Sequence, residues 1–109
     1  MITTHVLDTS KGRPAAGIPV ILEMELMDGR WAELGRGETD ADGRLRTLTP
    51  PDETLAHGTY RLIFETARYL GEEAFYPEVE IRFTIRNAQQ HYHVPLLLSP
   101  YGYTTYRGS

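Results

Sequence analysis

The sequence predicts an all-β protein, an antiparallel β-sandwich built from about eight short strands. Apolar and polar residues alternate in several segments, which is the two-residue period of a half-buried strand. Clusters of Gly, Pro and Asp separate these segments at the roughly 8–12-residue spacing of a sandwich or barrel. Only residues 66–71 have the pattern of a helix. A chain of 109 residues can fold on one core, so we expect a single domain over residues 1–109.

The first half of the chain is predicted to contain four strands. Each has alternating or β-branched residues and is bounded by residues that favour turns. Asp28 and Gly29 form a hairpin signal between the second and third strands. The predicted strands are residues 2–8, 18–26, 31–35 and 44–48, with a loop at 11–17 and a turn at 39–43.

The second half is predicted to contain four more strands and the short helix. Thr66 can cap the helix and Gly71 can end it, which leaves little more than one turn. Ser-Pro-Tyr-Gly at 99–102 is a turn, because Pro restricts φ and Gly tolerates positive φ. The predicted strands are residues 60–65, 79–86, 91–98 and 103–106, after a long loop at 49–58.

Composition excludes several classes of protein. The formal net charge of -4 argues against a nucleic-acid partner, since phosphate binding needs a basic surface. With no cysteine, the chain has no disulfide, thiolate nucleophile or Cys-ligated zinc site. No apolar run has the length of a membrane span, and the first residues lack the pattern of a signal peptide. We therefore expect a soluble, cytoplasmic protein.

The last nineteen residues have the composition of a functional site. Alternation puts His91 and His93 on one strand face, and the chain continues to a polar tail, Tyr-Arg-Gly-Ser at 106–109. Histidines can act as general acid and base near neutral pH, and an arginine can stabilise developing negative charge. Water would be the nucleophile, because the chain has no Gly-x-Ser-x-Gly motif.

Each candidate residue also has a structural interpretation. A single histidine in a strand, such as His5, more often packs and hydrogen-bonds than performs chemistry. Arg44 follows a turn and starts a strand, where a solvated edge charge is the common case. Zinc bound by His5, His91 and His93 is a further alternative. Asp-Ala-Asp-Gly at 40–43 lacks the glutamate of a calcium loop, so we interpret it as a turn.

Four motifs together resemble the 5-hydroxyisourate hydrolases, the transthyretin-related enzymes of purine catabolism. The closing Tyr-Arg-Gly-Ser is the signature of that family, and the likeness extends over essentially the whole chain. Thr104 is a small departure, since serine is more usual there. The motifs are Thr-His-Val-Leu-Asp at 4–8, Thr-Asp-Ala-Asp-Gly-Arg at 39–44, His-Tyr-His-Val-Pro-Leu-Leu-Leu-Ser at 91–99 and the tail at 106–109.

The resemblance implies a transthyretin-like sandwich of two four-stranded sheets with one short helix. It also implies a homotetramer, a dimer of dimers, whose active sites form where first strands and C-terminal tails meet between subunits. The implied reaction is hydrolysis of the N1–C6 amide of 5-hydroxyisourate, in the degradation of urate to allantoin. The implied product is 2-oxo-4-hydroxy-4-carboxy-5-ureidoimidazoline, and no metal or organic cofactor is needed.

The resemblance also implies roles for five residues. His5 and His93 would position and deprotonate the attacking water, and one of them would return the proton to the leaving nitrogen. Arg44 would bind the substrate carbonyls and stabilise the oxyanion. Tyr106 would contact substrate, and Ser109 would orient a histidine or the water through its hydroxyl or a terminal carboxylate. His91 shares the face of His93 but has no role in the family.

Two other functional classes remain open at this point. A transthyretin-like carrier would bind a hydrophobic molecule in an apolar channel and would not need the polar tail. A sandwich-type adhesion module would usually be secreted. The presence of His5, Arg44 and the tail around one polar site would favour the enzyme.

Overall fold

The computed structural model describes residues 1–50 and 54–109, and these form two β-sheets packed face to face with a short helix at one side. This confirms the predicted sandwich. The centre of the predicted loop at 49–58, residues 51–53, lies outside the described residues. The strands are β1 (Ile2–Asp8), β2 (Arg13–Pro14), β3 (Pro19–Glu25), β4 (Trp31–Glu38), β5 (Arg44–Leu45), β6 (Gly58–Phe64), β7 (Val79–Ile85), β8 (Tyr92–Ser99) and β9 (Gly102–Thr105), and the helix is α1 (Ala67–Leu70).

One sheet is a four-stranded antiparallel sheet in the order β4-β3-β6-β7. The other has the order β2-β1-β8-β9, and β5 also pairs with β1. The short strands β5 and β2 occupy successive parts of the same edge of β1, at Thr4–His5 and Leu7–Asp8. This second sheet therefore has five strands, one more than the resemblance implies, because a two-residue strand replaces part of the predicted loop at 11–17.

The pairing of β1 with β8 is parallel, which corrects one detail of the predicted antiparallel sandwich. The chain leaves β1, builds the whole opposite sheet, and returns to enter β8 from the same end of the molecule. Two neighbouring strands connected by such a crossover run in the same direction. This pair aligns Thr3 with His93 and His5 with Pro95.

The core lies between the sheets and uses alternate residues of each strand. In β7, Val79, Ile81 and Ile85 are buried, whereas Glu80 and Arg82 are exposed, as the alternation predicts. Burying one such aliphatic side chain contributes about 1.5–3 kcal/mol. The largest fully buried side chains include Tyr60, Phe64, Ile2, Leu22, Leu62 and Leu96.

The strand predicted at residues 44–48 is shortened to Arg44–Leu45. After Leu45 the chain leaves β1 and packs against β4, where a Cβ at Gly35 would lie 1.9 Å from the Leu48 carbonyl oxygen. Only glycine permits such a close approach of two backbones. Leu48 is buried there, and β4 extends to Glu38, three residues beyond the predicted end at Gly35.

The predicted helix is confirmed, although one of its capping residues is not. Thr66 has helical backbone angles, and its hydroxyl donates to the Tyr76 carbonyl at 2.5 Å instead of capping α1. Gly71 ends α1 with a φ of +68°, as predicted, and a 3₁₀ turn follows over Gly71–Glu73.

No helix within the described residues is long and apolar enough to cross a membrane.

Asp8 ties the end of β1 to the helix. Its carboxylate is buried and accepts hydrogen bonds from the Tyr69 hydroxyl at 2.7 Å and the Ser10 hydroxyl at 2.6 Å. The backbone N–H groups of Ser10 and Lys11 donate to the same carboxylate. Burial raises the pKa of Asp8, but these four hydrogen bonds outweigh burial and hold the pKa below its ordinary value.

Candidate active site

A polar cavity of about 170 Å³ opens on the outer face of the five-stranded sheet, at the N-terminal ends of β1 and β8. It is formed by two parallel strands, one short edge strand and the end of the chain. Its lining includes Thr3, Arg44, Arg46, His91, His93 and Ser109. Segments far apart in sequence therefore meet at one place.

The parallel register of β1 and β8 places Thr3 beside His93 of β8 and near His91, which directly precedes β8. The Thr3 hydroxyl lies 2.8 Å from Nδ1 of His93 and 2.9 Å from Nε2 of His91. Thr3 is only 4% exposed, although it lies on the outer face beside the two imidazoles. Both imidazoles are therefore held by a single hydroxyl.

A tight turn positions Arg44. One carboxylate oxygen of Asp40 accepts the N–H groups of Asp42 and Arg44, at 2.9 and 3.0 Å. Gly43 has a φ of +74°, and a Cβ there would lie 2.5 Å from the Val6 carbonyl oxygen. The turn thus packs directly on β1, and Arg44 pairs with His5. This confirms that residues 40–43 form a turn.

The C-terminal tail follows β8 in the register of the β8–β9 hairpin. Leu96 faces Thr105 and His93 faces Gly108, so one register extends past the end of β9. The ladder is interrupted at Pro95, which has no N–H to donate, and the Thr105 hydroxyl donates to the Pro95 carbonyl at 2.7 Å. Pairing resumes where the Gly108 N–H donates to the His93 carbonyl at 2.8 Å.

Gly108 packs directly on the ring of His93. A Cβ at this position would lie 2.6 Å from Cδ2 of His93 and 3.3 Å from Cγ of Pro95, so a side chain cannot be added without displacing the imidazole. The close contact allows the next residue, Ser109, to reach the cavity.

Arg107 holds the tail against the start of β8, at Tyr92 and the preceding Gln90. Its guanidinium lies 4.4 Å from the centroid of the Tyr92 ring and donates to the side chain of Gln90 at 3.0 Å. Tyr106 does not line the polar cavity. It is 57% exposed and lines a second cavity of about 360 Å³ at the open edge between β7 and β8.

The surroundings of His93 favour its neutral form. Burial is the largest cause that lowers its pKa below the ordinary value of 6.5, because the charged ring loses hydration. Nearby groups that are cationic or can become so lower it further, and these are His91, Arg44, His5 and Arg46. A neutral imidazole at neutral pH can accept a proton.

The described residues contain no group of three or more His, Asp or Glu side chains arranged to hold a metal ion. The zinc alternative with His5, His91 and His93 therefore has no ligand set in the structure. Two of these imidazoles instead share a hydrogen bond to Thr3.

The structure brings Arg44, His93 and Ser109 together around one cavity. His5 lies next to Arg44 across the β1–β5 pair and contributes to the electrostatics of His93. No motif singles out Thr3, and the one signal for it is that alternation places Thr3 on the same face of β1 as His5. Its contact with β8 depends on the parallel register, which alternation does not reveal.

Comparison with known proteins identifies the family. The sequence pattern of the HIUase/Transthyretin family matches residues 2–108. The chain is 50% identical over 112 residues to 5-hydroxyisourate hydrolase of Mus musculus, covering 99% of this chain and 94% of that protein.

Two solved structures have the same fold. The structure of Klebsiella pneumoniae 5-hydroxyisourate hydrolase superposes with a TM-score of 0.85 at 36% identity, covering 99% of this chain and 97% of the other. Sea bream transthyretin in complex with thyroxine superposes with a TM-score of 0.90 at 32% identity, covering 98% and 93%. The chain belongs to the HIUase/Transthyretin family.

Proposed function

We propose that this protein hydrolyses 5-hydroxyisourate in the degradation of urate. The main observation is a half-buried His93 with a lowered pKa, which shares a polar cavity with Arg44. The relatives named 5-hydroxyisourate hydrolase, at 46–52% identity over nearly the whole chain, support the same activity. The bond broken is the N1–C6 amide, and the product is 2-oxo-4-hydroxy-4-carboxy-5-ureidoimidazoline.

His93 is the general base in this mechanism. Its Nδ1 is engaged with Thr3, whereas Nε2 has no hydrogen-bond partner among the described residues and is available to a ligand. Nε2 takes a proton from water as the water oxygen attacks C6. The tetrahedral intermediate then collapses, the N1–C6 bond breaks, and Nε2–H returns the proton to N1. A positioned base of this kind accelerates a reaction by about 10²–10⁴-fold.

Arg44 stabilises the negative charge that develops on the C6 oxygen. Arg44 lines the cavity, and its backbone N–H donates to the Asp40 carboxylate, which fixes the position from which the side chain extends. Arg46 lines the same cavity and adds positive charge. His5, paired with Arg44, orients the water or the substrate.

The tail completes the site in this proposal. Ser109 lies in the cavity and orients the attacking water. Tyr106 contacts substrate across a subunit boundary, since within one chain it faces a different cavity. Arg107 and Gly108 position both residues.

The main alternative is a carrier. Sea bream transthyretin in complex with thyroxine has the same fold, so the fold alone does not separate a carrier from an enzyme. The cavity of this protein is lined by two arginines and two histidines, which suit a polar, ionisable substrate better than a hydrophobic ligand. This lining favours hydrolysis.

We also propose that the protein acts as a homotetramer, a dimer of dimers, with sites between subunits. Ligand pockets usually measure about 300–1,000 Å³, and the cavity of one chain is smaller, at about 170 Å³. A second subunit would enclose it. β7 and β9 each end their sheets, and their outer edges offer unpaired backbone groups to another chain.

The activity is tested by generating 5-hydroxyisourate in situ with uricase and following its near-ultraviolet decay. We expect the protein to accelerate the decay strongly, and His93→Ala to lose about 10²–10⁴-fold in kcat/KM. His57→Ala is the matched control, because His57 is exposed and hydrogen-bonds to the Arg86 carbonyl away from the cavity. A wild-type decay rate equal to the spontaneous rate would refute the proposed function.

A further inference from the structure

Thr3 connects two histidines through one hydroxyl group. Its oxygen lies 2.8 Å from Nδ1 of His93 and 2.9 Å from Nε2 of His91. A hydroxyl has one hydrogen to donate, so it can donate to at most one ring, and at least one ring must present an N–H to it. The protonation states of the two imidazoles are therefore linked.

We infer that Thr3 and His91 form a proton relay that connects His93 to solvent and returns it to its neutral form after each turnover. This inference rests on the proposed function, because it assigns the relay to the hydrolysis. Thr3 and His91 are positioning residues in this scheme, since they act through His93 and form no bond to the substrate.

Burial gives the relay a direction. Thr3 is almost completely buried, His93 is half-buried, and His91 is exposed. Nδ1 of His91 has no hydrogen-bond partner among the described residues, so it is available to water. A proton that leaves His93 through Nδ1 therefore reaches bulk solvent after three transfers, to Thr3, to His91 and to water.

The reaction needs such a path. Hydrolysis of the amide produces a carboxylic acid, which ionises at neutral pH because its pKa is about 3.3–3.9. The ureido nitrogen that leaves does not retain this proton. If the acid ionises before the product leaves, one proton per turnover must therefore leave the cavity.

The transfers balance as follows. His93 starts neutral, with Nδ1–H donating to Thr3 and the Thr3 hydroxyl donating to Nε2 of His91. When Nε2 of His93 takes the product's proton, Nδ1–H passes to the Thr3 oxygen and the Thr3 hydrogen passes to Nε2 of His91. His91 then releases its Nδ1–H to water. No bond other than O–H and N–H is formed or broken, and the rings must afterwards exchange protons with water to restore the starting tautomers.

The charges around His93 make a retained proton unfavourable. Groups on three segments lower the pKa of His93, namely His5 of β1, Arg44 of β5 with Arg46 after it, and His91 just before β8. All of them are cationic or become so when protonated. Transfer of the proton from His93 to the exposed ring of His91 removes the positive charge from His93.

The test uses three matched substitutions of threonine. Thr3→Val removes the hydroxyl and keeps the branched shape, which suits a strand. Thr3→Ser keeps a hydroxyl. Thr9→Val removes a hydroxyl just after β1, where it donates to the Leu98 carbonyl away from the cavity.

We expect Thr3→Val to lower kcat by about 10-fold or more while KM changes little, because a proton path is lost and not a substrate contact. Thr3→Ser should recover most of the loss, and Thr9→Val should behave as wild type. His91→Ala should be slow in weak buffer and should recover when imidazole buffer is added, because the buffer can take the proton instead.

Nuclear magnetic resonance of ring ¹⁵N gives a readout that does not depend on activity. We expect wild-type His93 to show a defined tautomer with hydrogen on Nδ1, and Thr3→Val to lose that preference. If Thr3→Val does not fold, His91→Ala with and without imidazole decides the question.

The outcomes separate the two proposals. A wild type with no activity on 5-hydroxyisourate would overturn the proposed function and the relay together. An active wild type whose Thr3→Val variant keeps its kcat, or whose His91→Ala variant is insensitive to buffer, would overturn the relay alone.

Discussion

Among single residues, Gly108 shows how closely the tail is fitted to the site. Its Cα lies so near the ring of His93 that a Cβ would come within 2.6 Å of Cδ2. The position has no positive φ, so the requirement for glycine arises from packing and not from backbone conformation. The tail and the ring of His93 therefore position each other.

We predict that Gly108→Ala lowers kcat/KM by about 10²-fold, since a displacement near 1 Å in a site has that effect. The melting temperature should change little, because residue 108 lies outside the core. Gly102→Ala is the control, since a Cβ there would be 3.8 Å from the Ser99 hydroxyl, an ordinary contact. Equal kcat/KM for the Gly108 variant and wild type would show that the tail does not position His93.

The lowered pKa of His93 predicts the acid side of the pH profile. Burial and the surrounding cations hold this pKa below 6.5, so the ring stays neutral, and able to act as a base, to lower pH than a free histidine. We expect kcat/KM to be constant near neutrality and to fall only below pH 6.5. A profile that already falls above pH 6.5 would contradict the role of His93 as the base.

Among the secondary-structure elements, β1 is the one that organises the molecule. One edge pairs with β8, the other edge is divided between β5 and β2, and its end is attached to α1 through Asp8. The N-terminal half of β1 bears the site and the C-terminal half bears the structural carboxylate. Function and stability are thus separated along one strand.

We predict that Tyr69→Phe lowers the free energy of unfolding by about 1.5–3 kcal/mol at pH 7, as expected for a hydrogen bond to a charged group. The pKa of Asp8 is lowered in the folded protein, so this stabilisation is present above the ordinary value of 3.8 and is lost as pH falls through the lowered value. The difference between variant and wild type should therefore shrink in acid.

Urea denaturation at pH 7 and at pH 3 measures this difference. Tyr101→Phe is the control, because that ring is 75% exposed. A Tyr69→Phe variant as stable as wild type at pH 7 would mean that the bond to Asp8 contributes nothing.

At the scale of the whole molecule, the proposed site of one chain lacks walls that a second subunit would provide. Its cavity is small, Tyr106 faces away from it, and the outer edges of β7 and β9 are free within the described chain. Assembly would supply the missing walls. We therefore expect activity to depend on the proposed tetramer.

We predict that sedimentation equilibrium gives four times the 12.4 kDa mass of the chain. Specific activity should fall on dilution, in step with dissociation, while circular dichroism shows that the sandwich remains folded. A dissociated monomer with full specific activity would refute sites shared between subunits.

The sequence by itself determined most of the strands and their inward faces, the short helix and the family, but not the bounds of β4 and β5 or the existence of β2. The alternation of apolar and polar residues is a local property, so the buried face of β7 and of β8 can be predicted without knowing which strands they pair with. The family motifs likewise indicated His5, Arg44, His93, Tyr106 and Ser109 before any geometry was known.

Only the tertiary structure decided how these residues meet. The parallel register of β1 and β8 brings Thr3 next to two histidines. The pairing of β8 with β9 stops at Pro95 and resumes where Gly108 pairs with His93. Register between distant strands depends on the packing of the whole core, because many alignments satisfy the same alternation. For that reason the candidate catalytic residues could be predicted from the sequence, whereas the contact of the Thr3 hydroxyl with His91 and His93 could not.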